Sequence, residues 1–371
     1  MRFLLIFTSS IATILFCGEL RAQSHADEDA LRVAVLIKQL GDERFAARQM
    51  ATSELVAFGE RALPAMRNAM SNSRDAEVRY RSEKIIGTIL HGCRKSESTG
   101  LEMAVIEAGD LQMGSHLKET GRRNDELLHQ VRINQPFLLG IKEVTQGQFR
   151  RVMEFAPSHF TSEIVGKEDG IKLDTSKFPV ERVSWFDAIE FCNCLSKKDG
   201  YALYYKMANV HRDGKLIKRA DVAIAGGNGY RLPTEAEWEF ACRASTNQPF
   251  HFGSRASSRE ANAKPSPVTS YGSRQTKSLG RTAMTGSYKP NALGLYDMHG
   301  NVAEWCWDWY AKDYYTNSPL DDPHGPDRGH HRVLRGGSWL VSVSNCRSAS
   351  RFFLAPDEHK YFAGFRVART P

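Results

Sequence analysis

The 371-residue sequence has little of several things that would each fix a protein class. Cysteine is sparse, at 7 residues, which excludes a small scaffold held together by disulfides. Glycine (29) and proline (14) are too few for a collagen-like repeat. Neither sign of charge dominates: 50 Lys and Arg face 43 Asp and Glu, and the resulting formal +7 is spread along the chain. No basic run is long enough to follow a phosphate backbone, so nucleic acid is not an expected partner. Beyond the N-terminus no segment approaches the roughly 20 apolar residues of a membrane span. What is present is ordinary globular composition, 41% hydrophobic and 25% charged, with length for two or more compact units.

The N-terminus reads as an address. Arg2 precedes a nearly all-apolar run from Phe3 to Phe16, and Leu20-Arg21-Ala22 is a passable exit for a signal peptidase. Residues 1–22 are thus expected to be an export signal, leaving a soluble periplasmic or extracellular protein. Cys17 invites a lipid-anchor reading, but bulky Phe16 fits poorly before a lipidated cysteine. If Cys17 leaves with the signal, six cysteines remain, and an oxidising compartment would permit some to pair.

Residues 23–95 are expected to be all-helical. Apolar residues recur at helical intervals: Val33, Leu36 and Leu40, then Ala51 and Leu55, then Leu63 and Met66, then Val78, Ile85 and Ile86. Gly41-Asp42, Gly59 and Ser71-Asn72-Ser73 punctuate four short helices, with Pro64 in the opening turn of the third. The order Leu40-Gly41-Asp42, Phe45, Gly59, Ala62-Leu63-Pro64 and Asp75-x-Glu77-Val78-Arg79 resembles HEAT-like helical-hairpin repeats over barely two units. Such pairs bury one face and offer the other, so these helices serve either as a dock for a protein partner or as a spacer. His25 and His91 are the only histidines here, too few for a metal centre. Polar residues 96–100 read as the linker to the next domain.

Residues 101–371 read as a loop-rich α+β domain. Leu101 to Gly114 suggests two short strands joined at a Gly109-Asp110 turn. Three helices announce themselves by capping residues three apart: Thr145 with Gln148, Ser184 with Asp187, and Thr234 with Glu237. Cys192 and Cys242 fall on the apolar faces of the last two and read as packing residues. After residue 245 Gly, Pro, Ser, Asn and aromatics dominate, so side chains must satisfy much of the backbone that ladders do not.

Seven blocks then occur in order: Met113-Gly114-Ser115; Glu143-Val144-Thr145; Pro179-Val180-x-x-Val183-Ser184-Trp185-x-Asp187-Ala188; Tyr230-Arg231-Leu232-Pro233-Thr234-Glu235-Ala236-Glu237-Trp238-Glu239; Asn291-x-x-Gly294-Leu295-Tyr296-Asp297-Met298-x-Gly300-Asn301-Val302; Arg335-Gly336-Gly337-Ser338-Trp339; and Gly364-Phe365-Arg366. In this order they resemble the formylglycine-generating-enzyme (sulfatase-modifying factor) family. The resemblance implies a low-regularity α+β fold of the C-type lectin-like kind. It also implies an oxidase that converts a sulfatase cysteine to formylglycine, with oxygen and a copper ion held by two cysteines.

The chain departs from that pattern where the chemistry sits. Soft Cu(I) needs paired thiolates. The family's pair falls two and seven residues past the aromatic of the Gly-Gly-Ser block, which maps onto Val341 and Cys346. The histidine after the first cysteine maps onto Ser342, and the tryptophan of the family's Asn-x-Trp-Glu-Trp block onto Ala303. Cys346 and Ser338 are the catalytic candidates that remain; Cys346 reads equally as a packing residue. Copper is accordingly a doubtful cofactor.

Structural calcium is the better-supported expectation. Asp297 and Glu304 are hard donors, Gly300 and Val302 offer carbonyls, and the pattern resembles the family's calcium loop, with Asn262 hinting at a second site. The plainer alternative for the two carboxylates is turn capping and a surface salt bridge. Trp305, Trp307 and Trp309 alternate, as a stacking platform or a core stripe. His324, His330 and His331 lack a carboxylate at fixed spacing and take no role. Gly336-Gly337 has no phosphate-loop context and reads as close backbone packing. Together these residues lead us to expect an exported family member that binds polypeptide or glycan, with lost or altered chemistry. The alternative is an active oxidase centred on Cys346, with a sulfatase as its polypeptide substrate.

Overall fold

The computed structural model describes residues 29–58, 62–90, 94–169, 173–266 and 278–370. The expected export signal over 1–22 and Cys17 lie outside the described residues, as do His25, Gly59, His91 and Cys93. The chain divides into two units, Met1–Gly92 and Cys93–Pro371. Among the described residues no helix is long and apolar enough to cross a membrane.

The first unit holds the four expected helices: α1 over 29–39, α2 (Phe45–Phe58), α3 (Leu63–Asn72) and α4 (Ala76–Leu90). Their apolar stripes meet in one core that includes Leu36, Leu40, Leu55, Met66 and Ile85. Pro64 sits in the opening turn of α3, where its missing N–H is no loss. The Asp75 carboxylate accepts the Glu77 and Val78 amides at the start of α4. A Cβ at Gly41 would fall 2.4 Å from that same carboxylate and would have to displace it.

In the second unit β1 (Arg94–Lys95), β2 (Glu102–Ile106) and β5 (Phe137–Gly140) join β13 (Ala368–Arg369) and β8 (Tyr230–Arg231) in a five-stranded sheet ordered β1-β2-β5-β13-β8. Residues 96–100 are therefore not a free linker. They turn the chain between β1 and β2, with Ser96 N donating to Leu101 O at 2.8 Å.

The hairpin expected around Gly109-Asp110 does not form. β2 pairs with β5, whereas β3 (Gly109–Met113) pairs with β4 (His129–Ile133) in a separate two-stranded ribbon. Gly109 packs closely on α8, since a Cβ there would lie 3.2 Å from the Phe240 ring.

Helices α5 (Gln146–Met153), α6 (Ser162–Asp169), α7 (Trp185–Lys198) and α8 (Glu235–Arg243) follow. All three expected capping boxes are formed, each with reciprocal side-chain and backbone bonds. Between α7 and β8, β6 (Tyr205–Asp213) and β7 (Leu216–Ile224) make a second ribbon that the periodicity did not announce. A four-stranded sheet, β11 (Phe352–Leu354), β10 (Arg332–Arg335), β9 (Ala303–Trp309) and β12 (Ala363–Gly364), completes the unit.

One core gathers around α7, with Phe149, Trp185, Phe191 and Trp305; the other gathers around α8, with Trp238, Leu295 and Met298. Between elements, buried arginines replace ladders. Arg335 donates to the Ser348, Ala349 and Ser350 carbonyls and to Glu239, and Arg347 is clamped by Glu119 and Glu126. Thr234→Ala removes one half of the α8 box and should cost about 1 kcal/mol, read as a lower urea midpoint by tryptophan fluorescence; an unchanged midpoint would show that the cap contributes nothing.

Candidate functional site

Gly336 and Gly337 follow β10 with φ of 88° and 71°, conformations that favour glycine. A Cβ on Gly337 would fall 2.6 Å from the Cys346 sulfur, so this pair serves close packing, as expected. The chain then folds over Ser338 and Val341 and returns through Val343 to Cys346.

Cys346 is fully buried. Phe250, Ala256, Ala261, Ala263 and Val343 surround it, with Val341 and Phe252 packed against them and no other cysteine. Its thiol donates to Ser342 O at 3.8 Å, and burial pushes its pKa up to about 12. His299 Nδ1 lies 2.7 Å from Cys346 O, while His299 Nε2 accepts the His251 amide at 3.2 Å, which fixes the neutral tautomer with hydrogen on Nδ1. Burial, then the neighbouring His251, pushes His299 down to about 3. Ser338 is buried, and its hydroxyl accepts the Leu340 amide at 3.4 Å.

This set can pack and position, but it is a poor nucleophile. A thiol with so high a pKa holds its proton at neutral pH, and the thiolate is the species that attacks or ligates. Val341 stands where a second sulfur would be needed, so the residues present do not fit a two-cysteine copper centre. The other described cysteines, Cys192, Cys194, Cys242 and Cys306, are also free thiols. Ser342 and Ala303 occupy the other departing positions; Ser342 Oγ lies 2.9 Å from Ser344 Oγ, and Ala303 is buried in β9.

The expected calcium loop forms a more polar knot beside this. Asp297, Gly300 and Asn301 all take positive φ. Asn301 Oδ1 accepts Asn262 Nδ2 at 3.0 Å and Ala283 N at 2.9 Å, and Asn301 Nδ2 donates to Glu143 Oε2 at 3.1 Å. Asn262 O accepts Asn301 N and stands 2.5 Å from where a Gly300 Cβ would be. Asp297 Oδ2 accepts the Gly286 amide at 2.6 Å. Val302 is buried immediately before β9.

Glu304 is not part of a surface salt bridge. Both its oxygens are gripped by Arg366 at 2.6 Å, and Oε2 also accepts Trp238 Nε1 at 2.7 Å, all three side chains being buried. Glu143, which motif reading left without a role, completes the cluster. It is buried, one oxygen has no partner, and desolvation followed by the charges of Asp297 and Glu304 raises its pKa well above the ordinary value. Burial likewise pushes Asp297 up to about 6. Three buried carboxylates around Arg366 leave an acidic excess. Hard oxygen donors with an orphaned oxygen fit a hard cation on the Asp297 and Glu143 side, with Glu304 already committed.

Elsewhere the weaker motifs resolve into packing. Arg332 lies 3.7 Å from the Trp185 ring centroid and 3.5 Å from that of Trp309, and Tyr205 stacks on Trp307 at 5.1 Å. The tryptophan stripe is thus filled from within. His331 packs on Phe353, and among the described residues no three His, Cys, Asp or Glu side chains converge on a common metal position.

Comparison with known proteins places this arrangement. A profile of the Sulfatase-modifying factor enzyme 1-like domain matches residues 92–371, and the chain belongs to that family. It is 34% identical over 253 residues to the "Chaperone protein LppX" of Paenibacillus barcinonensis, across 63% of this chain and 80% of that one. It is 40% identical over 153 residues to the "Formylglycine-generating enzyme" of Streptomyces coelicolor, across 39% of this chain and 48% of that one. The solved structure of Treponema denticola variable protein 1 superposes with a TM-score of 0.60 at 31% identity, covering 75% of this chain and 98% of that one. The chain spans as little as 38% of other curated relatives that it matches.

Close to the Gly-Gly-Ser-Trp block, Glu181 is fully buried and accepts the Phe160 amide at 2.9 Å, while its second oxygen has no partner. Phe160 in turn packs edge-on against Trp339. Burial pushes Glu181 up to about 7 from an ordinary value of 4.5. The folded state therefore prefers the protonated acid, and this contribution to stability is present below 4.5 and lost as pH rises to about 7. Glu181→Gln should flatten the fall in thermal midpoint over that window, and an equally steep fall in the variant would refute the assignment.

Proposed function

We propose that this protein is a non-oxidising member of its family that binds polypeptide. The observation that carries this reading is the single enclosed sulfur: Cys346 is buried, which pushes its thiol pKa up, and Val341 occupies the position of its partner. The Paenibacillus relative is named as a chaperone, which supports polypeptide over glycan as the ligand. In this reading the domain keeps the C-type lectin-like fold, the N-terminal helices are a HEAT-like dock for a protein partner, and the protein acts after export.

Calcium is the proposed structural ion. The orphaned Glu143 oxygen and the raised Asp297 support it. The ion would order the loop at Asp297, Gly300 and Val302, and bring Asn262 with it. Adding calcium to chelator-treated protein should raise the thermal midpoint, and Asp297→Asn should abolish the rise; a midpoint indifferent to calcium refutes the ion.

The second reading, an active oxidase centred on Cys346 with Ser338, is favoured by the likeness to the Streptomyces enzyme. The two separate when the chain is incubated with copper, oxygen, a thiol reductant that supplies the remaining two electrons, and a Cys-x-Pro-x-Arg peptide, and the peptide is weighed by mass spectrometry. The expected outcome is unchanged cysteine; formylglycine that disappears in Cys346→Ser would establish the oxidase. Val341→Cys should gain Cu(I) affinity over the natural chain, and a variant that gains none would refute the mapping of residue 341.

A further inference from the structure

A cleft of about 810 Å³ opens beside the first turn of α5, between β2 and the loop that carries Gly286. None of the residues around Cys346 lines it. Its walls carry four cationic side chains, Lys142, Arg150, Arg151 and Lys177. Among the described residues none of the four forms an ion pair. Arg151 makes only long contacts, 3.5 and 3.4 Å, with the Ser98 and Thr99 carbonyls. Glu102, also in the wall, is neutralised by Lys95 at 2.7 Å. Asp174 lies near Arg150 and Lys177 but already accepts the Ser176 amide. The cleft therefore has a net positive lining.

Its floor holds a second, independent feature. Glu143 lines the cleft while only 1% exposed, and its Oε1 has no hydrogen-bond partner. That oxygen is the one assigned above to the proposed calcium ion, whose charge at the floor would add to the cleft's attraction for an anion. The loop opposite is shaped for Lys142, because a Cβ on Gly286 would fall 2.7 Å from Lys142 Cε.

We propose that this cleft binds an acidic segment of a polypeptide, its carboxylates meeting the four cations. The lining selects that chemistry. Thr145 and Gln148 are joined in the α5 capping box and Thr285 donates to Lys177 O, so the cations carry the recognition, and no aromatic ring lines the cleft for a sugar to stack on. An isolated inorganic anion would fill little of the volume. The inference rests on the polypeptide-binding reading above and gives it a place and a charge.

The test uses the full chain and fluorescein-labelled hexaglutamate, followed by anisotropy. Paired Arg150→Glu and Arg151→Glu should weaken binding about tenfold or more, as should Lys177→Glu, which lies off the helix. Lys218→Glu, exposed on β7, should leave it unchanged, and raising salt should weaken the natural chain. Three results would each overturn the proposal: no binding of hexaglutamate, equal loss in Lys218→Glu, or charge reversals in the cleft without effect. Tighter binding of a heparin-derived hexasaccharide or of inorganic phosphate would also overturn it, in favour of a different ligand. The probe contains no cysteine, so its binding is read independently of whether the chain oxidises anything.

Discussion

The Glu304–Arg366 pair is the knot on which the second unit depends. Arg366 grips both oxygens of Glu304 and also donates to the Gly140 and Tyr296 carbonyls, while Trp238 donates to Glu304 from α8. One buried contact set thus ties β5, α8, β9, the 291–302 loop and the C-terminal segment. Taking two charges out of water is expensive, and what repays it here is that nearly every lone pair and N–H is used. Removing either partner would leave the other charged and enclosed, at a cost of about 3–5 kcal/mol. The pair also settles what Glu304 can do. It holds strands together, and only the neighbouring Asp297 and Glu143 retain acidity to spare.

The same device recurs wherever ladders give out. Arg335, Arg347 and Arg351 each thread a buried guanidinium through loop carbonyls and end on a carboxylate, Glu239, Glu126 and Glu235 respectively. Each guanidinium satisfies several loop carbonyls at once, which is how these loops are tied where no ladder runs. The consequence reaches the family's catalytic position. The 336–346 segment is pinned by Arg335 and Arg347 at either end, the Gly337 contact presses the Cys346 sulfur inward, and an apolar wall closes over it. That order and the single enclosed sulfur are what the proposed ligand-holding role rests on.

Much of this was legible in the residues, for identifiable reasons. Capping boxes are local, so Thr145, Ser184 and Thr234 could be read from three-residue spacing alone, and all three helices begin there. The N-terminal helices follow a 3.6-residue rhythm that needs no partner to detect. Pairing between strands is not local. Gly109-Asp110 has the composition of a turn, yet β2 pairs with β5 and β3 with β4, partners that lie well downstream in the sequence and leave no mark at the turn itself. The polar run at 96–100 looked like a linker for the same reason: hairpin turns and linkers share a composition. Glu143 was visible only as a motif letter. Its burial and its unpartnered oxygen arise from Asn301, Asp297 and Glu304, which lie more than 150 residues away in sequence.

The central claim is that this chain has one sulfur where soft-metal chemistry needs two. Titrating the natural protein with Cu(I) against a competing chelator, and counting sulfur ligands on any bound copper by X-ray absorption, tests it most directly. The account predicts no tight stoichiometric site and no copper with two protein sulfurs. One equivalent held by a pair of sulfurs, lost in Cys346→Ser, would contradict it.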